Sequence, residues 1–346
     1  MAVADVSRDG QLNDERPLHY ALSQSDALIS TSRLGRHILK GADQAGIPTI
    51  FNSLRPEVAG QYEPDGSVMR INAACRLFMR QGNLASLVAV MSDIRVHELA
   101  HGVQHHRTKT PDQDMMDDHH HVLTPRQAML YLAHVEAAAS SAQCQVAWEA
   151  KQKGHDSLWT TLRKQKTEDP ILDAFEQEAR ANPASVEDGR AQRAAHDAWF
   201  QTPSKTKYYG EAMVRKFAKS YASIDELAQS GKDADRVQAI AQYHQNQRAV
   251  DPRELRELGD FGGSANHLNV PGQRPLTDDY YRVDQHPDHA AAFAAIDQQR
   301  AQLIESHRAH ASVGAGSKPA DCTPGPTPDH AADRPQKRPA VALATP

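Results

Sequence analysis

The chain has 346 residues, 39% of them hydrophobic, and a formal net charge of −5 at pH 7. That balance offers no basic footprint for nucleic acid, the mean hydropathy of −0.65 leaves much of the chain solvated, and no apolar run approaches the ~18 residues of a membrane span. Three cysteines, one of them close to the C-terminus, form a reduced inventory and not a disulfide framework.

The segment from Met1 to Pro17 is polar and lacks the apolar stretch of a signal peptide, so the expected location is the cytoplasm, with export by a specialised secretion system as the alternative. Leu28, Ile29, Leu34, Ile38 and Leu39 recur at helical spacing and predict a helix from Asp26 to Gly46, ended by the glycine. A short apolar strand, Ile47 to Phe51, follows, and Pro48 confines it to a sheet edge. Gly60-Gln61-Tyr62 and the run Ser67 to Asn72 flank the turn-rich tetrapeptide Glu63-Pro64-Asp65-Gly66, which reads as a hairpin.

A long helix comes next. Asn83 or Ser86 can cap it, and Leu84, Leu87, Val88, Met91 and Ile94 lead at helical spacing into His97-Glu98-Leu99-Ala100-His101. In a chain with 19 histidines such a run can be coincidence, but its place on a core-facing helix is where metal ligands have to lie. Two imidazoles four residues apart share one helical face, close enough to hold one zinc ion, and the intervening Glu98 can act on a water at that ion. Zinc-dependent peptide hydrolysis uses this chemistry.

Two histidines leave a tetrahedral site one protein ligand short. A third histidine in the metzincin pattern requires Gly and His where this chain has Gln104 and Arg107. His105 lies about 12 Å from His97 along a helix rising ~1.5 Å per residue, too far for the same ion; His105 and His106 are expected beside the site or at the surface. A carboxylate on a second helix remains. Thr124-Pro125 starts a helix free of Gly and Pro to about Gln152, and in it Glu136 precedes the small-residue run Ala137 to Ala142, which permits close approach of two helices. Glu136 is the expected third ligand, with Glu149 as the alternative. The acidic and histidine-rich stretch between the two helices, Asp112 to His121, reads as a solvated loop.

Beyond Gly154 the pattern is mainly helical, with pieces at Ser157 to Lys166, Ile171 to Arg180, Val186 to Phe200, Lys207 to Ser220 and Ile224 to Gln229. Trp199-Phe200 and Tyr208-Tyr209 flank the breaker Thr202-Pro203-Ser204, and Tyr208 or Tyr209 is a candidate donor to a developing oxyanion, or else a packing residue. The stretch from Leu258 to Asn269 reads as a loop, and Asp288 to Ala309 as a polar helix. From about Ala311 the Pro-rich composition predicts disorder.

The HExxH run with a glutamate on a downstream helix resembles the gluzincin arrangement of the zincin superfamily. More closely, His97 to Gln104 followed by Glu136 and small residues is similar to a family of bacterial proteins proposed to be metallopeptidases and otherwise classed as a domain of unknown function, over about residues 25 to 270. The resemblance implies His97, His101 and Glu136 as metal ligands and Glu98 as general base. Relatives often carry a second acidic residue two places after the ligand glutamate, where this chain has Ala138.

The expectation is therefore an α+β, zincin-like fold with a small N-terminal sheet, the HExxH helix, a second ligand-bearing helix and a mainly helical C-terminal part. Residues 1–20 would be loose, 21–310 one metallopeptidase domain with a catalytic core at about 26–153 and a helical part at about 155–309, and 311–346 a disordered tail. The expected function is hydrolysis of a peptide or protein substrate through a Zn²⁺-activated water, the edge of the small sheet binding extended peptide by strand addition. The alternative is a catalytically vestigial interaction or effector protein on the same scaffold.

Overall fold

Ser32 breaks the first helical stretch in two. In the computed structural model of the chain, helix α1 (Arg16–Ser30) and helix α2 (Arg33–Gln44) stand where the apolar spacing alone predicts one helix from Asp26. The Ser32 side chain caps α2 by accepting from the Gly35 amide. A Cβ on Gly35 would lie 2.2 Å from the Ile29 carbonyl oxygen, so the corner closes only around glycine. The apolar residues continue in register through the break, which is why their spacing conceals it. Helix α2 ends before Gly46, whose φ of +65° suits the glycine stop.

The structure describes residues 16–305 apart from 53, 56–57, 74, 76–77, 79–82, 110–121, 231–246, 248–249, 258, 264–265, 272–290 and 303–304. The loop Asp112 to His121, most of the first 20 residues and the Pro-rich tail lie outside them.

Strand β1 (Thr49–Asn52) begins just after Pro48 and takes a sheet edge, parallel to strand β3 (Val68–Asn72) with Ile50 opposite Arg70. Strand β2 (Gly60–Glu63) is the other edge, antiparallel to β3 with Tyr62 opposite Met69, so the turn signal between them marks a true hairpin. The turn ends on Ser67, at φ +46°.

Helix α3 (Leu84–Thr108) starts at Asn83, whose side chain accepts from the Ser86 amide. Arg107 in its last turn places a positive charge at the negative end of the helix dipole. Helix α4 (Pro125–Gln152) has Thr124 at its cap position without a side-chain cap bond, and Pro125 sets the first turn. Both helices are buried on nearly every face, and the run Ala137 to Ala142 keeps α4 narrow where α3 crosses it.

The remaining helices surround this pair. They are α5 (Ser157–Lys164), α6 (Asp169–Ala181), α7 (Ser185–Asp188), α8 (Arg190–Phe200), α9 (Pro203–Ser230) and α10 (Pro252–Glu257), with short 3-10 turns at Lys166–Glu168 and His267–Asn269 and a further helical stretch over 291–302. Several predicted boundaries move, and the helix expected from Lys207 already begins at Pro203. The expected helix from Val186 to Phe200 is split at Gly189 (φ +89°), where a Cβ would meet the Asn266 carbonyl at 2.4 Å. The pieces expected at Lys207 to Ser220 and Ile224 to Gln229 are one helix, because Tyr221-Ala222-Ser223 contains no residue that stops it.

The result is a mostly helical α+β arrangement with a three-stranded sheet. Most of the buried apolar residues described form one cluster reaching from Leu18 to Ile296. Among the described residues no helix is long and apolar enough to cross a membrane.

Candidate metal centre

Helix α3 carries His97 and His101 one turn apart, and α4 presents Glu136 to them. The His97 and His101 Nε2 atoms are 3.1 Å apart. Glu136 Oε2 lies 3.2 Å from His97 Nε2, and its Oε1 lies 3.6 Å from His101 Nε2. His97, Glu98, His101 and Glu136 are only 5 to 8% exposed.

Two glutamines fix which ring nitrogens carry hydrogen. Gln143 donates its Nε2 to the Asp93 backbone carbonyl (3.1 Å) and carboxylate (2.7 Å), which turns its Oε1 toward His97 Nδ1 at 3.0 Å. Gln104 donates its Nε2 to the carbonyl of Gly259 at 2.8 Å and aims its Oε1 at His101 Nδ1, also at 3.0 Å. An amide oxygen can only accept, so both Nδ1 atoms must donate. With both rings neutral, the two Nε2 lone pairs then face each other and a carboxylate, an arrangement that a cation or a proton between them would stabilise. Two imidazoles and a carboxylate, each oriented by an outer hydrogen bond, could hold a divalent metal ion with a coordination position left over.

The protonation balance agrees. Burial alone would depress the His97 pKa, but its hydrogen bond to Glu136 and that carboxylate's charge raise it to about 9. Without a metal, a proton takes the cation's place. Burial pushes Glu136 the other way, yet the charges and hydrogen bonds of His101 and His97 hold its carboxyl well below the usual carboxylate range.

Glu98, beside His97, accepts a hydrogen bond from the Tyr62 backbone amide at 2.7 Å. Strand β2 thus runs along the site, and a Cβ on Gly60 would reach Ile94 at 2.4 Å and Glu98 Cγ at 3.4 Å. In the antiparallel register Asn72 donates to Ala59, so the main-chain groups of Gly60 and Tyr62 point away from β3, toward α3. The edge strand beside the site is β2, not the Pro48-led β1.

Of the two candidate tyrosines, Tyr209 is buried and donates its hydroxyl to Glu136 Oε2 at 2.8 Å. Burial and the Glu136 charge push its pKa well above the ordinary phenol value, so the proton stays on. Tyr208 packs edge-on against it at 5.1 Å. His105 stays apart from the cluster, with Nδ1 2.6 Å from the Tyr62 hydroxyl. Glu149 is also elsewhere: its Oε2 accepts from Ser32 Oγ and from the Arg33 amide at the start of α2.

Sequence reasoning missed Gln104, Gln143 and Asp93. Gln104 follows His101 by three residues and Asp93 precedes His97 by four, so helical spacing places both on the ligand face. Gln143 stands seven residues after Glu136, two turns on along the same face of α4.

Searches of curated proteins and of solved structures give no match. A family model does match, over residues 11–240, well over half of the chain and spanning every residue of the cluster except the Gly259 carbonyl behind Gln104. The chain belongs to the family described as "Putative metallopeptidase family (DUF6782)".

Proposed function

We propose that the protein is a zinc-dependent peptidase of gluzincin type, with His97, His101 and Glu136 holding Zn²⁺ and Glu98 acting as general base. The observation that carries this reading is the convergence of the two Nε2 atoms, 3.1 Å apart, on Glu136, each ring turned by a glutamine at its Nδ1. Zinc bound there would supply Lewis acidity toward a peptide carbonyl and lower the pKa of water toward ~7.

The chain's own groups do the rest. Glu98 takes the proton from the attacking water and returns it to the leaving amine, and the Tyr62 amide holds its carboxylate in one orientation. Strand β2, the sheet edge beside the site, is the strand along which an extended peptide would lie next to α3. Tyr209 keeps Glu136 in one rotamer through its hydroxyl, and that single O–H would serve an oxyanion only by leaving Glu136.

Elemental analysis tests the reading. The purified full chain should carry zinc and cleave a mixed peptide library, and His101→Ala or Glu136→Ala should lose both zinc from this centre and cleavage. Cleavage that survives in either variant, or in excess chelator, contradicts it.

A further inference from the structure

His134, His196 and His267 meet in the core as a second group of convergent imidazoles, and all three are fully buried. His134 sits on α4 two residues before Glu136, hence on the opposite side of that helix. His196 comes from α8 and His267 from the 3-10 turn His267–Asn269. Their ligand nitrogens lie within 4.8 Å of one another.

We propose that these three histidines form a second, structural metal site for a divalent first-row cation, zinc foremost. His134 Nε2 lies 2.6 Å from the Arg256 carbonyl oxygen, which can only accept, so Nε2 carries the hydrogen and Nδ1 is bare. His196 Nδ1 faces the Asp197 carboxylate at 3.3 Å, which likewise leaves Nε2 bare. These two bare nitrogens are 2.9 Å apart. An ordinary hydrogen bond between the rings needs one of them to change tautomer, and that sets a lone pair against either the Arg256 carbonyl or the Asp197 carboxylate. A cation resolves the contact with both outer bonds kept, which is how ligating histidines are usually oriented. His267 stacks on His196 with ring centroids 4.5 Å apart and supplies the third nitrogen. Three neutral imidazoles suit zinc and its neighbours in the first row, a small molecule completing the tetrahedron. Arg193 is paired with Asp197 at 2.6 Å, while the charges of Arg256 and Arg193 act against, and that of Asp260 acts for, added positive charge at His134.

The site would fasten the segment after α10 to α4 and α8. That segment is pressed close: a Cβ on Gly259 would lie 2.3 Å from His134 Nε2. The Gly259 carbonyl also holds Gln104, which orients His101. Metal at the second site therefore steadies the first centre from behind.

Metal stoichiometry of the full chain, loaded with Zn²⁺ and freed of excess, decides the matter. Two equivalents are expected for the wild type, one for His101→Ala and none for His101→Ala/His267→Ala. A single wild-type equivalent that His101→Ala abolishes overturns the proposal. Two equivalents that become one in His267→Ala alone uphold it even if the proposed catalytic centre fails. Co²⁺ added to His101→Ala, which leaves all three second-site histidines in place, gives a check that does not depend on the folding of a His267 variant. Visible absorption of tetrahedral nitrogen-bound Co²⁺ supports the site, and a colourless protein refutes it.

Discussion

The backbone amide of Tyr62, on the edge strand β2, donates to the side chain of Glu98 at 2.7 Å. One hydrogen bond thereby links the strand on which a peptide would lie to the carboxylate assigned as its general base. The contact depends on Gly60, two residues earlier, which lets β2 rest directly on α3.

Gly60→Ala tests that link. Its new Cβ would sit 2.4 Å from Ile94 Cγ2, so β2 has to move away from α3. The expected cost is about 1–3 kcal/mol of stability, with zinc retained and peptide cleavage reduced at least tenfold. Thermal melts, zinc content and cleavage rates read the three effects, and an unimpaired rate contradicts the coupling of strand to base.

Gln143→Ala removes the acceptor from His97 Nδ1 while leaving every ligand in place. Loss of such an outer partner typically weakens metal binding about 10–100-fold. Competition with a chromogenic chelator should show a weakening of that order, and Gln104→Ala should behave alike through His101. Unchanged affinity in both would mean that the glutamines are packing residues.

Glu149 and Glu136 share α4 and separate cleanly. Because Glu149 caps the start of α2, Glu149→Ala should cost about 1–2 kcal/mol and leave zinc content untouched. Denaturant melts with metal analysis check this, and a loss of zinc at full stability would reverse the assignment of the two glutamates.

Asp93 gives a pH signature. Burial raises its pKa from 3.8 to about 6, against the lowering effect of the hydrogen bond from Gln165. The folded state therefore binds this proton more tightly than the unfolded chain does. The associated stability is complete below pH ~4 and lost as the pH rises through about 6. Asp93→Asn stays neutral throughout. With chelator present, its unfolding free energy relative to wild type should climb between pH 4 and 7 by an amount on the order of 2 kcal/mol. A difference constant across that window contradicts the buried-carboxylate account.

The parts of this architecture written at short range were legible. His97 and His101 are one turn apart on a patterned helix, Pro64-Asp65-Gly66 marks the hairpin, and a helix without Gly or Pro carries Glu136 to meet them. The break at Ser32 was not, because Leu28, Ile29, Leu34 and Ile38 keep helical spacing across it and the Gly35–Ile29 contact exists only after folding. Long-range pairings stayed hidden for the same reason. Gln143 reaches His97 from 46 residues away, and His134 meets His196 across 62. A lone glutamine or histidine in a helix gives no sign of the partner it will find.

The most direct test of the central claim is Glu98→Gln, which preserves side-chain shape and the acceptor for the Tyr62 amide but removes the base. Zinc content and turnover of a peptide library are measured on the same preparation. The account predicts near wild-type zinc with turnover reduced at least a hundredfold, in line with the usual contribution of a general base of about 10²–10⁴. Undiminished cleavage by a zinc-loaded Glu98→Gln protein would contradict it.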